Sequence, residues 1–305
     1  MNCFLLLAAC CLLLASREPQ VASSKPQVAS CEFAYDLLMR YRYLLGDSRR
    51  ESARLRQQAR VWDPTAYALF DRLKIKRGWR VLEIGPGQGS LNLELRRRVR
   101  GPVDAVERSH AFAEGLRRRS GRDRLGHGTL WECDLIEAPL PRGAYDLIFA
   151  RWVFLFLPDV EAHLRKLVAA LKPGGRLAVE DYCRGTLRMV PEPPAWNDFL
   201  EADLAFFATQ GGDANIGARL PALYATVGLD VVDVTPTTKV GRPGSIEWEW
   251  MTTYFLGVLA RYGRLRPFTH AKAASLRRHW LAAARCRTSL LISPTVVDVV
   301  GRKRI

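Results

Sequence analysis

VLEIGPGQGSLNLEL, at residues 81–95, is the stretch that decides the fold. An apolar run with the composition of a β-strand reaches Glu83 and is followed by glycines at every second position, Gly85, Gly87 and Gly89. A helical pattern of apolar residues begins directly afterwards. The sequence therefore predicts a strand that turns sharply into a helix around a ligand that contacts the backbone.

The three glycines meet two separate needs of such a turn. A strand that reverses into a helix within a few residues uses backbone conformations with positive φ, and a ligand on the turn needs positions that lack a Cβ atom. The N–H groups that begin the helix form a partly positive site for a carboxylate or phosphate. Taken alone, the pattern also fits phosphate loops, dinucleotide folds and plain tight turns.

Four further apolar runs predict strands of the same sheet. They alternate with helix-like segments, which is typical of a parallel sheet with helices on both faces. Glu107 ends the second strand and Asp134 the third, so both carboxylates are expected with the glycines at the carboxyl ends of strands, where such sheets bind ligands. Glu107 there can accept hydrogen bonds from both hydroxyls of a ribose. The runs are PVDAVERS (102–109), GTLWECDL (128–135), YDLIFARWVFLF (145–156) and LKPGGRLAVEDY (171–182).

The spacing of the glycines disfavours two common classes of ligand. A dinucleotide fingerprint has glycine at the first, third and sixth positions of the turn, but here the third glycine comes one position early and Ser90 occupies the sixth. A phosphate-binding P-loop requires Lys-Ser or Lys-Thr after the glycines, and neither pair follows them. The sequence therefore favours neither NAD nor a P-loop nucleotide.

In these features the chain resembles the class I S-adenosylmethionine-dependent methyltransferases. The resemblance rests on E-x-G-x-G-x-G at residues 83–89, Glu107, Asp134 and L-K-P-G-G at residues 171–175, and it covers roughly residues 50–303. It implies an α/β fold with a doubly wound, mostly parallel seven-stranded sheet of the Rossmann-like methyltransferase type and a helical cap. It also implies S-adenosyl-L-methionine as the cofactor.

By this resemblance the cofactor-binding roles are assigned to the motif residues. The glycine turn approaches the methionine part of the cofactor, and Glu107 binds the ribose. Asp134 meets the adenine amino group, and its neighbour Leu135 belongs to the same cofactor site. Glu83 helps to hold the methionine ammonium through water or backbone, or it only caps the loop.

Longer stretches narrow the resemblance to small-molecule methyltransferases of the ubiquinone and menaquinone biosynthesis type. They include ESARLRQQARVWDP (51–64), ARWVFLFLPD (150–159) and GGDANIGARLPALYATVGL (211–229). Such proteins use an N-terminal helix as a lid over the cofactor, so Gln58 and Arg151 are expected to be further contacts. Gln58 also fits a solvated helix position, and Arg151 also fits a salt bridge to the lid.

The motifs leave open which acceptor receives the methyl group and whether O, N, C or S is methylated. The cofactor supplies the electrophile in a sulfonium methyl transfer, so the protein mainly aligns the acceptor and excludes water. A hydroxyl or ammonium acceptor must lose a proton to a base. Asp181 and Tyr182, at the end of the fifth strand, are the candidate catalytic residues, or they only close the edge of the sheet.

Helical lid segments are predicted at about residues 32–72, 184–227 and 241–287. Aromatic side chains at helical spacing in the last segment either wall a pocket or belong to the core. They are Trp248, Trp250, Tyr254 and Phe255. The predicted acceptor is a small apolar or aromatic molecule, and the alternative from another class is a non-catalytic module that binds S-adenosylmethionine.

The formal net charge of +15 raises the alternative of a nucleic-acid methyltransferase. The densest basic runs, at residues 96–98 and 117–119, are predicted to close helices at the edge opposite the site, where the helix dipole favours cations. The fourth strand also lacks the Asn/Asp-Pro-Pro-aromatic sequence seen in many methyltransferases that act on base amino groups. Nucleic acid is therefore the less favoured partner, and the five histidines indicate no metal site.

Residues 1–31 form an apolar leader and a low-complexity linker that repeats Pro-Gln-Val-Ala-Ser. The leader has the length of a signal peptide, and Leu7-Ala8-Ala9-Cys10 resembles a bacterial lipobox. It is therefore either a mispredicted start or an anchor that makes the protein a membrane-anchored lipoprotein through Cys10. Residues 32–305 are predicted to be a cytoplasmic methyltransferase domain, since the cofactor is made in the cytosol; the oligomeric state is not readable.

Overall fold

The computed structural model describes residues 49–120, 128–209 and 211–305. All of them belong to one compact unit, Tyr43–Ile305. The expectations for the leader, including the lipobox cysteine, lie outside the described residues. Within those residues we find no helix that is both long and apolar enough to cross a membrane.

A seven-stranded sheet forms the centre of the described chain, with the strand order β3-β2-β1-β4-β5-β10-β7. Neighbouring strands from β3 to β5 are parallel, and β10 is antiparallel to both β5 and β7. The predicted doubly wound, mostly parallel sheet is confirmed. The strands are β1 (Val81–Ile84), β2 (Val103–Val106), β3 (Leu130–Trp131), β4 (Tyr145–Arg151), β5 (Leu171–Cys183), β7 (Leu229–Thr237) and β10 (Thr295–Lys303).

Helices alternate with the strands and also form two insertions, the first within residues 184–227 and the second within residues 241–287. Side-chain caps begin several of them: Ser245 accepts a hydrogen bond from Trp248 N at the start of α7, and Thr269 accepts one from Lys272 N at the start of α8. The helices are α1 (Arg49–Leu73), α2 (Ser90–Val99), α3 (His110–Ser120), α4 (Val160–Ala170), α5 (Trp196–Ala208), α6 (Ile216–Thr226), α7 (Ile246–Tyr262) and α8 (His270–Ala283).

Two of the predicted strands end earlier than expected, each for a local reason. The third strand stops at Trp131, because Asp134 begins a turn in which its own side chain accepts a hydrogen bond from Ile136 N. The fourth stops at Arg151, because Trp152 adopts a φ of +55° and Phe154–Phe156 form a short 3₁₀ helix. Both breaks lie at carboxyl ends of strands, where irregular backbone can approach a ligand.

The apolar-rich segment at residues 229–240 divides between two sheets. β7 ends at Thr237, and Val240–Gly241 form β8 of a small antiparallel sheet with the order β6-β9-β8. β6 is Arg188–Val190 and β9 is Leu290–Ile292. β7 is an edge strand of the large sheet, which is why it tolerates Pro236.

Helix α1 packs across one face of the sheet and towards α7. Near its carboxyl end Phe70 meets Phe149 of β4 with ring centroids 4.9 Å apart. Further back along α1, fully buried Trp62 lies 5.6 Å from the ring of Trp250 and 6.0 Å from that of Trp152. These edge-to-face contacts hold α1 over the carboxyl end of β4 and against the second insertion.

Candidate functional site

A cavity of about 440 Å³ opens at the carboxyl ends of the parallel strands. The register explains why distant residues meet there: Val106, Ile84 and Ala150 are partners in one row across β2, β1 and β4. The cavity is lined by residues that come directly after this row in the chain and by residues at the ends of the neighbouring strands β3 and β5. Predicted site residues among the lining are Glu83, Gly85, Gly87, Glu107, Asp134, Leu135, Arg151, Tyr182 and Gln58.

The glycine turn has the backbone that the sequence predicts. Gly85, Gly87 and Gly89 have φ values of 64°, 52° and 75°, a region that favours glycine. A Cβ atom on Gly87 would meet no atom within 4 Å, so its open side faces free space in the cavity wall. Gly89 does not line the cavity; a Cβ there would lie 2.6 Å from Leu116 Cδ1, so this glycine serves the packing of α3.

Glu107 is fixed at the tip of β2 by two backbone groups. Its Oε2 accepts a hydrogen bond from Gly87 N at 3.1 Å, and its Oε1 accepts one from Ser109 N at 2.8 Å. Burial raises the pKa of this carboxyl, while the two backbone donors lower it. Each oxygen keeps a second lone pair, so the side chain can accept two more hydrogen bonds from a diol in the cavity.

Asp134 lies in the turn after β3, half-buried beside α4. Its Oδ1 accepts a hydrogen bond from Ile136 N at 3.1 Å and lies 3.9 Å from Nε2 of His163. The interaction with His163 lowers the pKa of Asp134, which is therefore a charged acceptor in the cavity wall. The next residue, Leu135, is buried and lines the same wall of the cavity.

Glu83 places a buried carboxylate next to the glycine turn. Its Oε2 has no hydrogen-bond partner in the described structure, although the residue is only 3% exposed. Burial raises the pKa of Glu83 from 4.5 to about 8, and the positive charge of Arg151 opposes the shift. A buried acceptor without a partner, lining a cavity, fits a ligand that brings a charged donor such as an ammonium group.

Both expected contacts near the lid helix line the cavity. Arg151 donates from Nη2 to Asp63 of α1 at 2.6 Å, so it makes the salt bridge to the lid and also faces the cavity. Gln58 is buried, with its Oε1 accepting a hydrogen bond from Nη1 of Arg54. It is not the solvated helix residue that was one interpretation of its position.

The two candidate bases at the end of β5 have different surroundings. Asp181 is fully buried and does not line the cavity; its oxygens accept hydrogen bonds from Leu155 N and Tyr182 N. Tyr182 does line it and stacks on Trp152, with ring centroids 5.3 Å apart and planes inclined by 5°. Burial strongly raises the pKa of Tyr182, which keeps its hydroxyl protonated.

The second insertion supplies part of an aromatic wall. Trp250, Tyr254 and Phe255 line the cavity, whereas Trp248 is buried outside the lining. We call the following residues of the lining the aromatic half of the cavity: Trp152, Tyr182, Arg184, Phe207, Trp250, Tyr254 and Phe255. The residues around the glycine turn, Glu107 and Asp134 form its acidic half.

Sequence reasoning missed Arg54 and Arg184, and it did not single out Trp152 or Phe207. All four line the cavity. A signal for Arg184 was present, because this cation directly follows the apolar strand β5, at the end of the sheet where ligands bind. Arg54 and Phe207 lie on helices, and their approach to the cavity depends on helix packing that periodicity does not determine.

The basic runs are largely neutralised by neighbouring acids. Arg98 pairs with Asp71 at 2.5 Å and with Glu94 at 2.8 Å, and Arg117 pairs with Glu132 at 2.7 Å. The expectation that the whole second run lies opposite the site is wrong for Arg119, which lines the cavity at the end of α3. Among the described residues, no group of His, Cys, Asp and Glu is arranged to hold a metal ion.

Comparisons with known proteins find similarity to methyltransferases. A family model described as a methyltransferase domain matches residues 82–179. Methyltransferase GfsG of Streptomyces halstedii is 28% identical over 179 residues, covering 57% of this chain and 61% of its own. The ubiquinone/menaquinone biosynthesis C-methyltransferase UbiE of Methylococcus capsulatus is 33% identical over 129 residues, covering 40% and 50%. The chain thus spans less than two thirds of the length of either relative.

A solved structure shows the same fold. Phosphoethanolamine N-methyltransferase 2 of Haemonchus contortus, solved with phosphomonomethylethanolamine and S-adenosylhomocysteine, superposes with a TM-score of 0.50 at 17% identity. The match covers 80% of this chain and 53% of the other. Family match and fold agree: residues 82–179 match a methyltransferase domain, and the chain has the fold of the class I S-adenosylmethionine-dependent methyltransferases.

Proposed function

We propose that this protein transfers the methyl group of S-adenosylmethionine to a small apolar or aromatic acceptor. One observation carries the proposal: a single cavity joins an acidic half at the glycine turn to an aromatic half. The acidic half has the acceptor groups that an amino acid, a ribose and an adenine need. The aromatic half offers apolar surface for a second small molecule beside it.

In this proposal each part of the cofactor meets a residue whose chemistry fits it. The open backbone at Gly87 admits the methionine part, whose ammonium meets the unpartnered oxygen of Glu83. Glu107 uses its remaining lone pairs to accept hydrogen bonds from the ribose hydroxyls. Asp134, held in the charged state beside His163, accepts a hydrogen bond from the adenine amino group. When bound, the cofactor supplies an electrophilic methyl group on a sulfonium.

The remaining predicted contacts close the site. Gln58 and the ion pair of Arg151 with Asp63 lie where α1 meets the cavity, so α1 separates the reacting atoms from water. The aromatic half aligns the acceptor, since positioning is the main contribution a protein makes to this displacement. Two names among the relatives, for ubiquinone and menaquinone biosynthesis, belong to methyltransferases of small molecules and support an acceptor of that size.

Binding of the cofactor and transfer of its methyl group are tested separately on purified protein. Calorimetry with S-adenosylhomocysteine is expected to give one binding event per chain, and absence of binding would overturn the proposal. Labelled S-adenosylmethionine is then incubated with phenols, quinols, amines, carboxylic acids and single- and double-stranded nucleic acid. Label transferred to a small molecule supports the proposal. Binding without transfer to any of these would indicate a non-catalytic cofactor-binding module, and label in nucleic acid would indicate the other alternative.

A further inference from the structure

Arg184 is a buried cation held in a fixed orientation at the wall of the aromatic half. It follows β5 directly and is 3% exposed. Its Nε and Nη2 each donate a 2.7 Å hydrogen bond to Asp203 of α5, and the hydroxyl of Tyr262 donates a third to the same carboxylate at 2.6 Å. Asp203 itself does not line the cavity. Asp203 and Tyr262 therefore hold the guanidinium from the side that faces away from the cavity.

The rest of the guanidinium is surrounded by rings that also line the cavity. Its Cζ lies 5.0 Å from the ring centroids of Phe207 and Tyr254, and 5.5 Å from those of Tyr182 and Phe255. Its side-chain hydrogen bonds within the described residues use Nε and Nη2, and none of them involves the third nitrogen, Nη1. Four rings therefore lie around the group, and one pair of its N–H donors is left unused beside the cavity.

The carboxylates of the cavity lining are confined to one of its halves. Of the described residues that line it, only Glu83, Glu107 and Asp134 carry carboxylates, and all three belong to the acidic half. The aromatic half has Arg184, and Cζ of Arg54 lies 5.3 Å from the ring centroid of Tyr254. An anion placed among these aromatic residues meets the cationic donors of Arg184 and no carboxylate of the lining, because Asp203 lies behind the guanidinium and outside the lining.

Proton bookkeeping restricts the acceptor further. A neutral alcohol or an ammonium acceptor must pass a proton to a base within hydrogen-bond reach. Asp181 lies outside the cavity lining, and Tyr182, which lines it, stays protonated because burial raises its pKa. The described residues of the aromatic half therefore include no carboxylate or imidazole to take that proton. An acceptor that arrives as an anion needs no base.

We propose that the acceptor is an apolar or aromatic organic acid, bound as its oxyanion with that group hydrogen-bonded to Nη1 of Arg184. This inference rests on the proposed methyltransferase function and names its substrate class. A lone pair of the oxyanion forms the new O–CH₃ bond while the C–S bond breaks and its electron pair stays on sulfur. The products are a neutral ester or ether and a neutral thioether, and no proton is released.

The first test compares charged and neutral ligands on the same protein. Protein saturated with S-adenosylhomocysteine is titrated by calorimetry with benzoate, 2-naphthoate and 4-phenylbutyrate, each paired with its primary amide. At least one carboxylate is expected to bind about tenfold or more tightly than its amide, as for a hydrogen bond to a charged group. Equal affinities within every pair, or no binding of any carboxylate, would overturn the inference. The proposed function would not be overturned by either result, because the protein would still bind S-adenosylhomocysteine.

A second test assigns the preference to Arg184. The variant Arg184→Met alone leaves Asp203 buried and unpaired, so it is made together with Asp203→Leu. We expect this double variant to keep its affinity for S-adenosylhomocysteine and to lose the preference for the carboxylate over the amide. Arg219→Met, which removes an exposed partner of Asp213, is the control and is expected to keep the preference. A preference that persists in the double variant would contradict the role of Arg184.

A third readout identifies the source of the oxyanion. Wild-type protein is incubated with labelled S-adenosylmethionine and a carboxylic acid or a nitrophenol, and the product is treated with alkali. A methyl ester releases labelled methanol, whereas an aryl methyl ether does not. Either product supports the inference, and transfer only to amines or to neutral aliphatic alcohols would overturn it.

Discussion

Glu83 gives the sharpest prediction, because its unusual protonation links cofactor binding to pH. The carboxylate is buried next to the glycine turn, and one of its oxygens has no partner in the described structure. A cofactor ammonium can form an ion pair only with the ionised form. Below the raised pKa of about 8, binding must therefore remove a proton from Glu83.

The magnitude follows from the shift in pKa. A rise from 4.5 to about 8 means that ionising Glu83 in the free protein costs about 5 kcal/mol more than ionising an exposed glutamate. About one molecule in a hundred has an ionised Glu83 at pH 6, and about one in ten at pH 7. Affinity for the cofactor should therefore rise about tenfold between these two pH values and level off near pH 8, where a free α-amino group begins to lose its proton.

The assay is calorimetry with S-adenosylhomocysteine, which has the same amino acid part, at pH 6, 7 and 8. Runs in buffers with different ionisation enthalpies give the number of protons released, expected to be close to one at pH 6. Glu83→Gln should bind more weakly at pH 8 and show little change between pH 6 and 7, while Glu94→Gln on α2, which pairs with Arg98 outside the cavity lining, should behave as wild type. A wild-type affinity that is independent of pH, with no proton released, would refute the reasoning.

Three further substitutions test the site and its support. Glu107→Gln leaves one amide oxygen for two backbone N–H donors. Calorimetry should show about 10–100-fold weaker binding of S-adenosylhomocysteine, and urea unfolding should show a free energy of unfolding about 1–3 kcal/mol lower. The control Glu114→Gln, exposed on α3, should change neither quantity by as much. Gly87→Val and Gly78→Val both force a β-branched residue to positive φ in open space, costing about 1–2 kcal/mol, but only the former should abolish binding. Burial raises the pKa of Glu180 in the folded protein, so wild type loses stability as the pH rises through that pKa, whereas Glu180→Gln does not. In urea unfolding from pH 5 to 8, the free energy of unfolding of the variant should rise relative to that of wild type by about 1.4 kcal/mol per pH unit. A difference that stays constant with pH would contradict this.

Much of the fold could be predicted from local sequence. The glycine turn, with the apolar runs on either side of it, predicted β1 and α2 because both the positive φ and the period of burial depend on neighbouring residues. Strand lengths were less predictable. Trp152 ends β4 through its backbone conformation, and the residues around Val240 leave the large sheet to pair with β9, a partner some fifty positions later in the chain. Such choices are made by tertiary contacts.

The acidic half of the cavity could be predicted from the sequence, whereas the aromatic half could not. Glu107 and Asp134 follow directly from parallel strands, and the carboxyl ends of those strands meet at one edge whatever the helices do. The position of Arg184 at the cavity depends on its contacts with Asp203 on α5 and Tyr254 on α7, which only helix packing brings together. Conversely, Asp181 precedes Tyr182 by one position, so strand alternation turns it to the opposite face, away from the cavity.

A crystal structure of the complex with S-adenosylhomocysteine tests the central claim most directly. We predict ribose hydroxyls within hydrogen-bond distance of Glu107, the adenine amino group at Asp134, and the sulfur facing the aromatic half of the cavity. A ligand bound elsewhere, or one whose ribose makes no contact with Glu107, would contradict the account.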